Sequence, residues 1–337
     1  DILPKFPADA AYSTALGVMI QGVSEETLKQ KEFDSVRGKV QLIFTSPPFP
    51  LNTKKKYGNL KGEEYLEWFA KFGPVFRDLL APNGSIVIEL GNSWEPGLPT
   101  MSTLALKALL RFQEENAFHL CQEFICHNPA RLPSPAQWVT IERIRLKDSY
   151  TRLWWMSPTS RPKANNKNVL QDYSAAMRRL LKTKQFNSGK RPSEHTISEE
   201  GFKTDHGGSI PPNVLSISNT RSNDRYQEYC RAHDIEFHPA RMPVELPEFF
   251  IKFLTDPGDI VLDPFGGSNT TGAAAEKLSR HWIAVEPMSH YIRGSMGRFN
   301  IESVHTFAED LALDPVAPQS YGWWEDNFFS DLYRCLS

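Results

Sequence analysis

Residues 259–286 constrain the fold more than any other stretch of the chain. Asp259-Ile260-Val261-Leu262 has the branched, apolar character of a buried strand and leads straight into Asp263-Pro264-Phe265-Gly266-Gly267-Ser268-Asn269-Thr270-Thr271-Gly272. Residues 273–278 then have helical composition, and a second strand-like run at 281–285 ends in Glu286. Strand, glycine turn, helix and strand in so short a span is a parallel crossover unit, so part of the molecule must be a parallel sheet covered by helices. Glycines at such a turn let backbone approach a ligand that a side chain would block, just beyond the carboxyl end of a strand. A carboxylate about 20 residues later, at the end of the next strand, is placed to accept hydrogen bonds from both hydroxyls of a ribose. Neither G-x-G-x-x-G nor a G-K-[ST] ending occurs here, so a nucleoside without phosphates fits the turn better than a nucleotide.

The remaining pattern agrees with an α/β fold. Strand-like runs recur at 40–45, 85–90, 120–126 and 152–156, and a further short one lies near Met19. Helical spacing over 63–80 puts Tyr65, Phe69, Phe72 and Phe76 on one broad apolar face, and a second helix is expected over 102–112. Pro82-Asn83-Gly84 reads as the turn into the next strand. With 337 residues, 40% of them hydrophobic, the chain can bury one large core and carry a smaller lobe. Periodicity fails from about 157 to 235, where Lys, Arg, Asn, Ser, Pro and Gly dominate, and a stretch this long is a separate irregular lobe rather than a loop.

Charge follows the same division. Residues 161–191 hold nine Lys/Arg against Asp172 alone, whereas residues 301–337 hold seven acids against Arg334 alone. A local positive excess suits a polyanion, although an ordinary solvated face has the same composition. No window approaches the roughly 18 apolar residues of a membrane span, and no charged-then-apolar leader is seen, so an intracellular protein is expected. Cys121, Cys126, Cys230 and Cys335 lack C-x-x-C spacing and are expected to be reduced. No H-E-x-x-H or Cys/His cluster is present, so no metal is expected, and isolated histidines such as His127 and His238 read as structural residues.

A second motif carries the chemistry. The 40–45 strand runs into Ser46-Pro47-Pro48-Phe49. Two prolines stiffen the corner and withhold amide donors, so it presents acceptors. An amine conjugated to an aromatic ring is a poor nucleophile, and acceptors at its hydrogens favour the attacking geometry and take up developing positive charge. Ser46 Oγ and the Pro47 carbonyl are the expected partners of such an amine, and Phe49 the wall against which a base turned out of a duplex stacks. Taken alone, a proline-rich turn after a strand would explain these residues equally well; the glycine turn shifts the balance toward direct group transfer. A mechanism through a cysteine nucleophile is not supported, because none of the four cysteines follows a proline.

These residues resemble a known family, the amino-group DNA methyltransferases of the permuted β class, and among them the PvuII-type cytosine-N4 modification methyltransferases. Ser46 to Phe49 matches the family's S-P-P-F and Phe265 to Gly272 its F-G-G-S-N-T-T-G. The likeness extends through Lys56-Tyr57-Gly58-Asn59-Leu60, Leu132-Pro133-Ser134-Pro135, Gly207-Gly208-Ser209-Ile210-Pro211-Pro212-Asn213, His238-Pro239-Ala240-Arg241 and Leu246-Pro247-Glu248-Phe249-Phe250, nearly all of positions 11 to 298. It implies a Rossmann-like S-adenosylmethionine-dependent fold with a mostly parallel seven-stranded sheet and a target-recognition lobe. The domains would then be 1–159 with the catalytic corner, 160–236 for recognition, 237–300 for the cofactor, and an acidic 301–337 tail.

By this resemblance Asp263, Phe265, Gly266, Gly267, Ser268 and Thr270 line the methionine side of S-adenosylmethionine, Glu286 binds its ribose, and the 238–243 segment, with His238, Pro239 and Arg241, closes over it. Phe in place of Tyr or Trp, and Ser in place of Asp or Asn, point to cytosine; adenine-N6 methylation and a catalytically silent DNA-binding module are the rivals. Arg178, Arg179, Lys182, Lys184, Lys190 and Arg191 are expected phosphate contacts on double-stranded DNA, with polar residues between Ser193 and Asp224 reaching base edges. A CAGCTG-like target and a cognate restriction endonuclease are implied as well. Gly22-Val23 stands where the family usually has Gly-Asp, so either an adenine-ring contact is missing and cofactor affinity is lower, or another residue substitutes. Trp323, Trp324, Phe328 and Phe329 in the tail read either as anchors on the core or as a partner surface.

Overall fold

The computed structural model describes residues 10–48, 62–198, 201–219 and 224–307. Phe49, the 56–60 motif and the tail aromatics lie outside them. By contact density the chain divides into two compact units, one formed by Asp1–Lys163 with Asn213–Ser337 and the other by Ala164–Pro212.

The larger unit is built on one sheet. Its strands are β1 (Ala10–Ser13), β2 (Gly17–Gln21), β3 (Val40–Thr45), β4 (Leu80–Leu90), β5 (His119–His127), β6 (Tyr150–Ser157), β9 (Val214–Ser216), β10 (Ile260–Asp263), β11 (His281–Glu286) and β12 (His305–Thr306); β7 (Gly189–Lys190) and β8 (Thr196–Ile197) belong to the smaller unit. The sheet order is β12-β1-β2-β11-β10-β3-β4-β6-β5-β9. Strands β2, β11, β10, β3 and β4 pair in parallel, and β6 runs antiparallel between β4 and β5. The seven strands from β2 to β5 are the mostly parallel sheet expected. Three short strands, β1, β12 and β9, extend its two edges.

Both faces of the parallel strands are apolar, and alternation sends successive residues to opposite sides. Ile43, Ile86, Ile88, Leu262 and Ile283 face one core, whereas Leu42, Phe44, Val87, Val261 and Trp282 face the other. The first is capped by the aromatic face expected over 63–80, where Tyr65, Phe69, Phe72 and Phe76 are all buried. That segment forms two helices, Gly62–Ala70 and Phe72–Leu79, rather than one. Pro74 is tolerated in the first turn of the second helix but not in the interior of a continuous one. Asn116 Nδ2 donates to the freed Ala70 carbonyl at 3.1 Å. The second core is covered by Leu246, Phe250, Ile251 and Leu254 of the helix Glu245–Leu254.

Two local expectations change. Pro82-Asn83-Gly84 is a bulge within β4 rather than a turn before it: Leu80 pairs with Val40 and Ser85 with Leu42, so the partner strand advances two residues while β4 advances five. A Cβ on Gly84 would lie 2.9 Å from the Val40 carbonyl oxygen, which is why glycine closes the bulge. The compact smaller unit is also narrower than the expected 160–236. Strand β9 pairs with β5, and the helix Arg225–Ala232, which has a capping box between Asp224 and Gln227, packs within the larger unit.

Within the smaller unit, the helix Ala175–Thr183 is N-capped by Ser174, whose Oγ accepts from the Met177 amide at 3.2 Å, and it has no buried residue. Phe186 and Phe202 meet edge to face at 5.5 Å, and Gln171 bridges Ser209. So few apolar side chains support only a small core, consistent with the loss of periodicity in the sequence.

Candidate active site

Parallel pairing brings the carboxyl ends of β2, β11, β10, β3 and β4 to one edge of the sheet. From β10 the chain crosses to β11 on one side, and from β3 it crosses to β4 on the other. At such a switch point adjacent loops diverge and leave a crevice. Ser46 follows one of these strands and Asp263 ends the other.

A cleft of about 690 Å³, its open mouth included, occupies that crevice. It is lined by Ser46 and Pro48, by Asp263, Phe265, Gly266, Gly267, Ser268 and Thr270, by Glu286, and by His238, Ala240 and Met242. Thus the serine-diproline corner and the glycine turn, 217 residues apart counted from Ser46 to Asp263, face one cavity (263 minus 46). Pro47 is buried beside them, and the Pro48 carbonyl accepts from the Tyr65 hydroxyl at 2.7 Å. Pro239 and Arg241 do not line this cleft; the Arg241 guanidinium lies 5.5 Å over the Tyr226 ring and 3.9 Å from Asp224.

The glycine turn is held from below. Asp263 accepts from Thr45 Oγ1 at 2.9 Å, Thr271 Oγ1 at 2.6 Å and the Phe265 amide at 3.1 Å. Thr45 precedes Ser46, so this carboxylate joins the two motifs directly. Burial pushes its pKa up to about 6 against the pull of those donors. Glu286 accepts from the Gly267 amide at 2.9 Å and the Met288 amide at 3.0 Å, and burial raises it further, to about 7. Gly267 has φ +50°, and a Cβ there would stand 2.9 Å from His238 Nε2. His238 is buried edge-on to Tyr291 at 4.5 Å, and burial drives its pKa down to about 3, so the imidazole is neutral.

Sequence reasoning missed three residues here. Glu89, near the end of β4, accepts from Thr151 Oγ1 at 2.7 Å and from the Ser46 hydroxyl, and burial raises its pKa. It is the one charge in Ser85-Ile86-Val87-Ile88-Glu89-Leu90, a signal that was legible in the sequence. Arg298, nearly all buried, donates from Nη2 to Ser268 Oγ at 2.9 Å and from Nε to the Ser268 carbonyl. It lies 4.7 Å over the ring of Tyr226, whose hydroxyl accepts from the His238 amide at 2.9 Å. Arg298 and Tyr226 therefore tie the glycine turn to the segment that faces it across the cleft.

At the position of Val23, which caps the short helix Ser24–Thr27, the next residue Ser24 donates to the Pro264 carbonyl and lines the cleft. The six expected phosphate contacts, Arg178, Arg179, Lys182, Lys184, Lys190 and Arg191, are all exposed in the smaller unit. No helix among the described residues is long and apolar enough to cross a membrane.

Comparison with known proteins agrees with this geometry. Residues 40–297 match the family model described as DNA methylase, that of the N6/N4 methyltransferases. The chain is 44% identical over 296 residues to the type II methyltransferase M.PvuII of Proteus hauseri, covering 87% of each. It is 22% identical over 264 residues to M.HindIII of Haemophilus influenzae, covering 77% of this chain and 76% of that one. Among solved structures, the PvuII DNA methyltransferase (cytosine-N4-specific) superposes with a TM-score of 0.70 at 39% identity, over 87% of this chain and 89% of that one. The chain belongs to the DNA methylase family of N6/N4 methyltransferases.

Proposed function

We propose that the chain transfers a methyl group from S-adenosylmethionine to the N4 exocyclic amine of a cytosine turned out of duplex DNA. One observation carries the reading: Ser46 and the Asp263–Ser268 turn line a single cleft at the sheet's switch point. The choice of cytosine rests on the 39% identity with the solved PvuII DNA methyltransferase, which is cytosine-N4-specific, and on Ser46 itself. A CAGCTG-like site, and an endonuclease that reads the same site, belong to this reading.

The cleft suits this cofactor. Among the described residues that line it there is no Lys or Arg, whereas Asp263 and Glu286 are present, so two carboxylates would repel a polyphosphate and attract a sulfonium. Glu286 would hold the ribose, and Gly266, Gly267 and Ser268 the methionine side, with His238 closing above Gly267. When bound, S-adenosylmethionine supplies an electrophilic methyl group. The chain's own residues do the rest. Ser46 donates a hydrogen bond to Glu89, which makes Oγ a stronger acceptor for an amine N–H, and the Pro47 carbonyl is the second acceptor. Glu89, whose raised pKa makes it a better base than an exposed carboxylate, takes the Ser46 proton as Oγ takes one from the methylated amine, which discharges the positive charge that develops there. The exposed cations from Arg178 to Arg191 would hold DNA phosphates.

Arg298 is a positioning residue for this cleft. Arg298→Lys keeps the charge but loses the two-pronged grip on Ser268, and a charged hydrogen bond contributes about 1.5–3 kcal/mol. It is expected to raise KM for the cofactor about tenfold with kcat nearly unchanged, as steady-state kinetics would report; an equal fall in kcat would place Arg298 elsewhere in the mechanism.

Glu286 gives the binding step its pH dependence. The ionised form accepts two ribose hydroxyls, so cofactor affinity should rise as pH passes upward through about 7, by at most about tenfold per unit below it. In the unliganded chain the sign is opposite. A folded pKa above the unfolded one contributes stability that is present below the ordinary carboxylate range and lost as pH rises through about 7. Calorimetric titration at several pH values checks the first effect, and Glu286→Gln should bind weakly with a flat profile.

Transfer itself is tested by incubating duplex DNA with the chain and methyl-tritiated cofactor. Acid-precipitable label, competed by duplex and not by RNA, is expected. Duplex binding without label at saturating cofactor would make the chain a silent DNA-binding module.

A further inference from the structure

The antiparallel pair β5-β6 opens, at the catalytic edge, into a loop over 128–149. The pair His127↔Tyr150 and the bond from the Asn128 amide to the Ser149 carbonyl at 2.7 Å close its base. This loop exposes large apolar side chains that a soluble surface would ordinarily cover: Leu146 is 89% exposed, Leu132 63%, Ile141 67% and Ile144 58%. Leu146 is the most exposed large hydrophobic residue among those described.

Its neighbours are anchored. Arg145 donates to the Pro99 carbonyl at 3.1 Å and to Asp148 at 3.3 Å, and lies 5.7 Å over the Trp94 ring. Lys147 Nζ donates to the Arg131 carbonyl at 2.9 Å. Leu146 therefore projects from a braced support and loses little freedom on making a contact. The brace also reaches the site. Thr151, next to Tyr150 at the loop's base, donates to Glu89 at 2.7 Å, and Glu89 accepts from Ser46, so the loop stands beside the corner that would receive the target base.

The geometry points to Leu146 as the wedge that enters the duplex base stack when the target cytosine leaves it. The inference rests on the methyltransferase reading above and deepens it by naming how the base is extruded. Duplex DNA is the occupant that the surroundings favour. The loop holds Arg131, Arg143, Arg145 and Lys147 against Glu142 and Asp148, and Asp148 is already paired with Arg145. Cations around an apolar tip match phosphates flanking a stack of bases, and apolar side chains that part base steps are a recurrent device for opening DNA. A target that is already unpaired has less stacking and pairing to lose and should need the wedge less.

The test compares two duplexes carrying the site that the chain methylates, mapped first by methylation-sensitive sequencing. In one, the target cytosine faces guanine; in the other it faces an abasic position. Leu146→Ser is expected to lower kcat/KM on the paired duplex at least about tenfold and to recover most of the loss on the abasic one, with cofactor affinity unchanged. Leu146→Met, which keeps the apolar bulk, should retain activity on both. Unchanged activity of Leu146→Ser on the paired duplex, or an equal loss on both, overturns the wedge while leaving the methyltransferase reading in place. No transfer by the unmodified chain to any duplex overturns that reading and the wedge with it.

Discussion

Ser46→Ala is expected to lower kcat for methyl transfer by about 10²–10³-fold, the usual consequence of removing one preorganised hydrogen-bonding partner of a developing charge. Cofactor affinity should stay within about twofold, because the residues that would hold the cofactor belong to the glycine turn and β11. Thermal unfolding should shift little, since Ser46 is only half-buried and its loss leaves Glu89 still paired with Thr151. Glu89→Gln separates two explanations for the fall. If Glu89 only braces Ser46, the amide should keep most of the activity. If it receives charge through Ser46, kcat should fall about as far as in Ser46→Ala, and the acidic limb of the pH-rate profile should disappear. Equal turnover by Ser46→Ala and the unmodified chain would remove Ser46 from the chemistry.

Gly267→Val is expected to weaken cofactor binding at least about 100-fold, which is about 2.7 kcal/mol. Two effects combine. Gly267 has φ +50°, a region in which a β-branched residue is strained, and its Cβ would stand 2.9 Å from His238 Nε2 inside the cleft. His238 is buried, and its amide is bound to Tyr226, so it has little room to yield. Gly258→Ala is the control, because Gly258 also has positive φ, +87°, yet faces open space at the opposite end of β10. Its cost should be about 1 kcal/mol of stability with no change in affinity. Equal effects of the two substitutions on affinity would mean that the turn matters for folding rather than for binding.

Much of this architecture was legible because parallel strands buried on both faces are written as continuous apolar runs. The runs at 40–45 and 281–285 differ from β3 and β11 by one residue at most. Residues 213–236 were not legible in that way. Val214–Ser216 is too short to show a period, and its partner β5 lies 87 residues upstream, counted from His127 to Val214 (214 minus 127). The Asp224–Gln227 capping box was there to be read as the start of a helix, but the surrounding polar composition masked it. The bulge at Pro82-Asn83-Gly84 has the chemistry of a turn and becomes a bulge because β3 continues alongside it.

The site divides similarly. Glycines, prolines and the terminal carboxylate of a strand carry local signatures, so Ser46, Gly267 and Glu286, which line one cleft, could be singled out from sequence. Arg298 and Tyr226 carry none. Their roles arise only when the chain returns, 30 residues after Ser268 and 12 before His238, to bind those two residues. Charge singled out Arg178 to Arg191 as phosphate contacts, and the structure leaves them exposed in the smaller unit, as such contacts and an ordinary solvated face would both be.

The most direct measurement is the identity of the methylated base. Duplex DNA incubated with the chain and methyl-labelled S-adenosylmethionine, digested to nucleosides and separated by mass spectrometry, should carry the label as N4-methylcytosine. Label in N6-methyladenine, or on the ring carbon of cytosine, would contradict an amine of cytosine held against Ser46.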